Sequence, residues 1–233
     1  MQRAKKLITR KVFSKDVYNI SYKFPDFGSL VIEIIVSLWS RIKCYLNLDS
    51  SNVCIFSDNK DMKAIQEQAE QAAKGMLEVA WDGIIPVDPI RIARKLGISV
   101  YEHKLDPEVS GAIVKEVGQD PVILLNSNDN VKRQTFTCAH EIGHFVYRAD
   151  KANQEDVEHF EYVDFRAPLS SAGISEEEVF ANSFAANLLM PGNLVREYAI
   201  HLLPSSLAVK FGVSIEAITY RLKNLNLLVI ASM

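Results

Sequence analysis

The stretch His140-Glu141-Ile142-Gly143-His144 narrows what this chain can fold into more than any other. On an α-helix of about 3.6 residues per turn the two histidines stack on one face, where both can reach a single zinc ion. Glu141 is turned by about 100° from His140, so it flanks such an ion instead of ligating it beside the histidines. A carboxylate there can accept a proton from water whose pKa the ion lowers toward about 7. Ile142 points to the core, and Gly143 leaves room for a neighbouring segment to come close. The pattern predicts a helix over about 128–148. Asn126, Ser127 and Asn128 offer N-cap chemistry, and Asp129 suits the positively polarised first turn.

A small sheet is expected to lead into that helix, which makes the chain α+β. Residues 60–80 read as a helix with Ile65, Ala69, Ala72, Met76 and Val79 on one face. WDGIIPVDP breaks it, and PIRIARKLGIS reads as a second, short helix closed by Gly97. SVYEHKL, GAIVKEV and PVILLN have strand patterns, with PEVSG and GQDP as turns. Residues 1–60 mix aromatic, β-branched and basic residues, carry no chemical motif, and stand as an N-terminal extension of unknown role.

A catalytic zinc takes a third protein ligand and keeps one position open. Downstream, His159, Glu161, Glu176, Glu177 and Glu178 qualify by type. GISEEEVFANSFAANLLMP is strongly helical, with Val179, Phe180, Phe184, Leu188 and Leu189 as its apolar residues and Ser175 as its N-cap. Glu178 occupies the capping-box position, so capping competes with ligation there. Glu178 and Asn182 share a face, which lets a ligand and a neighbour that orients it project together. His159 sits in the acidic stretch EDVEHFEYVD, so donor chemistry favours Glu178.

RQTFTCAHEIGHFVY at 133–147, followed by EVFANSFAANLLMP at 178–191, resembles the ImmA/IrrE family of zinc metallopeptidases. PVDPIRIARKLGISV, VSGAIV and VILLN are similar to that family's lead-in, and the likeness covers about residues 61–227. The resemblance implies a zincin-like metallopeptidase with a small β-sheet and an HExxH active-site helix, followed by a helix-turn-helix-like helical tail. It implies that His140, His144 and Glu178 hold Zn2+, that Glu141 is the base, and that Asn182 supports Glu178. Some relatives carry a second acid just before the alanine, where this chain has Phe180. The strand ending at Asn126 would lie beside the site, where the edge strand of a zincin holds an extended peptide. Asn126, Tyr147 and His159 are the residues to consider for contacts with substrate or transition state, although Tyr147 on an apolar helix also suits the core. The implied division is a peptidase domain over 61–192 and a helical region over 193–233.

In that last region LPSSLAVKFGVSIEAITYRLKNLNLL has the form of a helix-turn-helix. Leu207, Ala208 and Phe211 pack the first helix, Gly212 makes the turn, Ser214 caps, and Val213, Ile218 and Leu222 pack the second. A DNA-reading role would turn Thr219, Arg221 and Lys223 toward the groove. Glu216 in the first turn opposes a phosphate there, so packing or substrate docking is preferred over direct DNA binding. The net charge of −3 and pI near 6.0 supply no global basic field to draw the molecule onto nucleic acid.

Three cysteines (Cys44, Cys54 and Cys138) and no CxxC pair argue against a disulfide framework and for a reducing cytoplasm, with Cys138 expected in the core. LVIEIIVSLW at 30–39 is the most apolar stretch, but it is short and Glu33 interrupts it, so no membrane partner is expected. Two functions follow. One is a zinc endopeptidase whose substrate, on the family resemblance, is a helix-turn-helix repressor of stress or mobile-element genes. The other is a DNA- or partner-binding regulator, antitoxin-like, with a structural or vestigial metal site.

Overall fold

The computed structural model describes residues 58–115, 118–151, 162–163 and 175–227 of the chain. The N-terminal extension up to residue 57, its apolar stretch at 30–39, and His159 and Glu161 lie outside the described residues. The described part is mixed α+β: α1 (Asp58–Ala80), α2 (Pro89–Lys95), β1 (Ser99–His103), β2 (Gly111–Lys115), β3 (Val122–Asn126), α3 (Val131–Lys151), β4 (Tyr162–Val163), α4 (Glu176–Leu189), α5 (Gly192–Ala199), α6 (Pro204–Phe211) and α7 (Ile215–Asn224). None of these helices is long and apolar enough to cross a membrane.

Helix α1 packs along α4, which in turn packs on α3. Its buried stripe is Ile65, Ala69, Ala72, Ala73, Met76 and Ala80. Small side chains at four of those positions let the helices approach closely. Val79, expected on this face, is 40% exposed, and Ala80 takes its place. At about 100° per residue the stripe can continue from Met76 through either position, and the fold buries Ala80.

Asp88 caps α2 by accepting from the backbone N–H groups of Ile90 and Arg91, with Pro89 in the first turn. Gly97 follows with a φ of 76°, which places the chain in the left-handed region and releases it into β1.

The sheet runs in the order β1-β3-β2-β4. β1 and β3 are parallel, while β2 pairs antiparallel with both β3 and β4. β3 is therefore interior, with backbone hydrogen bonds on both sides. This corrects its expected place as the strand that receives a peptide; among the described residues the free edges belong to β1 and β4. Strands β2 and β3 pack against α3. A Cβ at Gly111 would stand 2.4 Å from Thr137 Cγ2, so this strand meets the helix backbone to side chain.

Candidate metal centre

Helix α3 starts at Val131, later than the expected 128, and its cap is Asn130, whose side chain accepts from the backbone N–H of Arg133 at 3.0 Å. Asn126 does different work. Its Oδ1 accepts from the N–H groups of Leu105 and Asn128, and its Nδ2 donates to the carbonyls of Asp106 and Val109. The amide thus staples the loop between β1 and β2 to the end of β3, and it is consumed by that role.

Midway along α3, His140, Glu141 and His144 are 0%, 1% and 2% exposed. Ile142 is fully buried in the core, as its phase predicts. Gly143 faces α4: a Cβ there would lie 2.9 Å from Ala181 Cα and 3.3 Å from Phe184 Cβ. The missing side chain is what brings the N-terminal turn of α4 level with the two histidines. Ser175 caps that turn by accepting from the N–H of Glu178 at 3.2 Å. Three successive carboxylates follow, at the helix end where the dipole favours negative charge.

Each carboxylate meets a different level of α3. Glu178 places Oε2 3.6 Å from His140 Nε2 and Oε1 3.4 Å from His144 Nε2. Glu177 reaches the opposite side of His144, with Oε1 3.0 Å from Nδ1, and both its oxygens accept from Arg148. Glu176 accepts from the Tyr147 hydroxyl at 3.3 Å and pairs with Lys151, whose ammonium lies 4.5 Å from the centre of the Tyr147 ring. Burial works against ionising Glu177, but the hydrogen bonds from His144 and Arg148 and the guanidinium charge outweigh it and hold its pKa down at about 2. Burial pushes the Tyr147 phenol up. Its ring sits 5.2 Å from that of Phe180, so Tyr147 packs as well as bonds.

His140, His144 and Glu178 form a group that could hold a metal ion, their ligand atoms lying within 4.8 Å of one another. The donor set fits a divalent ion. Two ligands of a tetrahedral zinc stand roughly 3.3 Å apart, and the Nε2 atoms of His140 and His144 are 2.8 Å apart, with the Glu178 oxygens at 3.4 and 3.6 Å. The histidines are buried while Glu178 is 36% exposed, so solvent has access from the carboxylate side. Asn182 lies one turn beyond Glu178 on α4 and is partly exposed. Cys138 is buried, and burial pushes its thiol pKa up, which leaves it a packing residue.

Sequence pattern alone does not single out Arg148, and it offers Glu177 only as a candidate ligand, whereas the fold pairs the two behind His144. The signal for Arg148 was its position four residues after His144, on the same face of α3.

A family model described as Peptidase_M78, IrrE N-terminal-like domain, matches residues 93–223 of this chain. The chain belongs to this peptidase family. The matched span contains α3, α4 and the three donors, and continues through α5 and α6 into α7. A protein of Bacillus phage phi105 named "Uncharacterized immunity region protein 2" is 31% identical over 111 residues, which are 48% of this chain and 63% of that protein. The match thus spans less than two thirds of that relative's length. A Mycobacterium tuberculosis transcriptional regulator superposes with a TM-score of 0.46 at 16% identity, over 70% of this chain and 51% of that one, too loosely to support an argument.

Among the described residues the C-terminal helices of this M78 chain bury the apolar residues that the sequence singles out, and one of the three residues that a DNA-reading role would use turns inward. Leu207, Ala208, Phe211, Val213, Ile218 and Leu222 are buried as predicted, Gly212 turns with a φ of 68°, and Ser214 caps α7. Arg221, which a DNA-reading role would turn toward the groove, is 7% exposed and points inward, whereas Lys223 is exposed and Thr219 partly so. Its Nε donates to the Met190 carbonyl and its Nη2 to Asn187 Oδ1, because α7 docks on the C-terminal end of α4.

Proposed function

We propose that this chain is a zinc-dependent endopeptidase that cleaves a helix-turn-helix transcriptional repressor in the cytoplasm, relieving repression of stress or mobile-element genes. The observation that carries the reading is Glu141, a buried carboxylate one residue from His140, beside a converging His/His/Glu donor set. A purely structural zinc site has no use for an acid so placed.

His140, His144 and Glu178 would hold the ion, and two imidazoles with one carboxylate suit zinc, though manganese or iron can enter such a set in vitro. When bound, zinc supplies Lewis acidity toward the scissile carbonyl and lowers the pKa of attacking water. Glu141 takes a proton from that water and delivers it to the departing amine, as general base and then general acid. Its burial in α3 keeps the carboxylate close to the reacting atoms, where a small displacement is costly. Asn182 supports Glu178 from the next turn. Tyr147 and His159 are the side chains to consider for the transition state.

The M78 membership supports a peptidase, and the phage relative is named for an immunity region, which supports a regulatory setting for the substrate. The inward course of Arg221 favours packing or substrate docking over the rival DNA-binding role for α6 and α7.

The test is Glu141→Gln, co-expressed with repressors encoded beside the gene. The variant should retain zinc and lose cleavage by about 100-fold or more. Cleavage at the wild-type rate would refute the mechanism, and tight, salt-sensitive binding of the protein to duplex DNA would promote the regulator in its place.

A further inference from the structure

We infer that Glu177, backed by Arg148, is a positioning residue for the metal centre: it fixes the tautomer and the ring orientation of His144 so that Nε2 faces the ion. The inference rests on the reading of His140, His144 and Glu178 as ligands and adds what holds one of them in place.

His144 is nearly buried, so protein groups decide which of its ring nitrogens carries the proton. Its Nδ1 lies 3.0 Å from Glu177 Oε1. The same oxygen accepts from Arg148 Nε, and Arg148 Nη2 donates to Oε2 at 3.2 Å. A carboxylate gripped by both arms of a guanidinium is ionised and can only accept hydrogen bonds. The proton in the contact with His144 therefore belongs to Nδ1. Nε2 keeps its lone pair, on the side of the ring occupied by His140 Nε2 and Glu178 Oε1.

The neighbouring acids divide the work by helix phase. Residues 177 and 178 are separated by about 100° around α4. Glu178 aims both oxygens at Nε2 atoms, while Glu177 passes to the far side of the ring and meets Arg148. Arg148 lies one turn beyond His144 on α3, so the contact also clamps α4 to α3 at the level of the donors. Outer partners of this kind raise ligand basicity and remove the rotational freedom that would otherwise be lost on binding.

The experiment uses the full chain and three variants, Glu177→Ala, Glu177→Gln and Arg148→Met, with folding checked by circular dichroism. Long-range 1H–15N spectra of the metal-free proteins read the His144 tautomer, and competition with a chromophoric chelator reads zinc affinity. Wild type should show a single tautomer protonated at Nδ1. Glu177→Ala should show a mixture and bind zinc about 10- to 100-fold more weakly. Arg148→Met should move both readouts the same way by less. Glu177→Gln can still accept from Nδ1–H, so it should recover much of the wild-type behaviour. It also keeps the side-chain volume, which leaves the comparison available if Glu177→Ala does not fold. A wild-type tautomer in every folded variant, with zinc affinity within about twofold, would overturn the inference. If instead wild type binds no zinc, or His140→Ala binds it equally well, the ligand reading fails, while the metal-free spectra still decide the role of Glu177.

Discussion

His144 and Glu178 show how much one ring and one carboxylate can be asked to do. His144 turns one nitrogen to Glu177 and the other to the donor cluster, and Glu178 reaches both histidines at once. On the proposed roles, losing a ligand differs from losing the base. His140→Ala, His144→Ala and Glu178→Ala should each leave the purified protein without stoichiometric zinc by metal analysis, whereas Glu141→Gln keeps it. Zinc itself should stabilise the fold, by about 2.7 kcal/mol when free ion exceeds its dissociation constant about 100-fold. Wild type should thus melt several degrees lower after chelation, and a ligand variant should not respond. A chelator-induced drop of equal size in Glu178→Ala would remove that carboxylate from the ligand set. Residue identity and spacing were enough to select the two histidines, because both lie on one helix and the helix repeat relates them. Among Glu176, Glu177 and Glu178 the sequence offers three equal side chains, and only the docking of α4 on α3 distinguishes their partners.

The helices themselves were largely readable as elements, since caps and apolar periodicity act within a few residues. Ser175, Ser214 and Gly97 mark ends where expected. Asn130 was overlooked as the cap of α3 because Asn126, Ser127 and Asn128 have the same local chemistry, and the loop before β2 claims Asn126. At this scale the critical contact is between Gly143 and α4. Replacing a helical glycine by alanine ordinarily gains about 1 kcal/mol. Here the added Cβ would stand 2.9 Å from Ala181 Cα, and backbone cannot yield as the end of a flexible side chain can. Overpacking costs typically about 1–3 kcal/mol, so Gly143→Ala should lower unfolding stability in urea, by up to about 2 kcal/mol net. It should also weaken zinc binding, because pushing α3 from α4 separates Glu178 from the histidines. An equally stable variant with unchanged zinc affinity would mean that the helices are not held this close.

In the whole molecule, α4 is the shared wall, with α1 and α3 packed against it and α7 docked at its C-terminal end. Arg221 makes that last joint, aided by Arg196, which donates to the Leu225 carbonyl. Arg221→Met would leave Asn187 Oδ1 and the Met190 carbonyl without these donors, at about 1–3 kcal/mol for each buried group. Relief from burying a charge offsets part of this, so a net loss of about 2–4 kcal/mol in denaturant unfolding is expected. Zinc stoichiometry should be unchanged. If the variant keeps wild-type stability but loses affinity for duplex DNA, α7 is a nucleic-acid surface after all.

The sequence by itself determined the α+β content, most helix ends, the strands and the stacking of His140 and His144 on one helix, all of which depend on neighbours within a turn or two. The likeness between residues 133–147 and 178–191 and a known family also pointed across a gap that local rules cannot bridge to Glu178, which lies beside both histidines. Tertiary structure alone decided that β3 lies inside the sheet, that Arg221 turns inward, and that Glu177 with Arg148 faces the back of His144. Those outcomes depend on which distant surfaces meet and in what register. The register here comes from small residues at the α3–α4 contact and from pairing between strands far apart in the chain, which local periodicity does not encode.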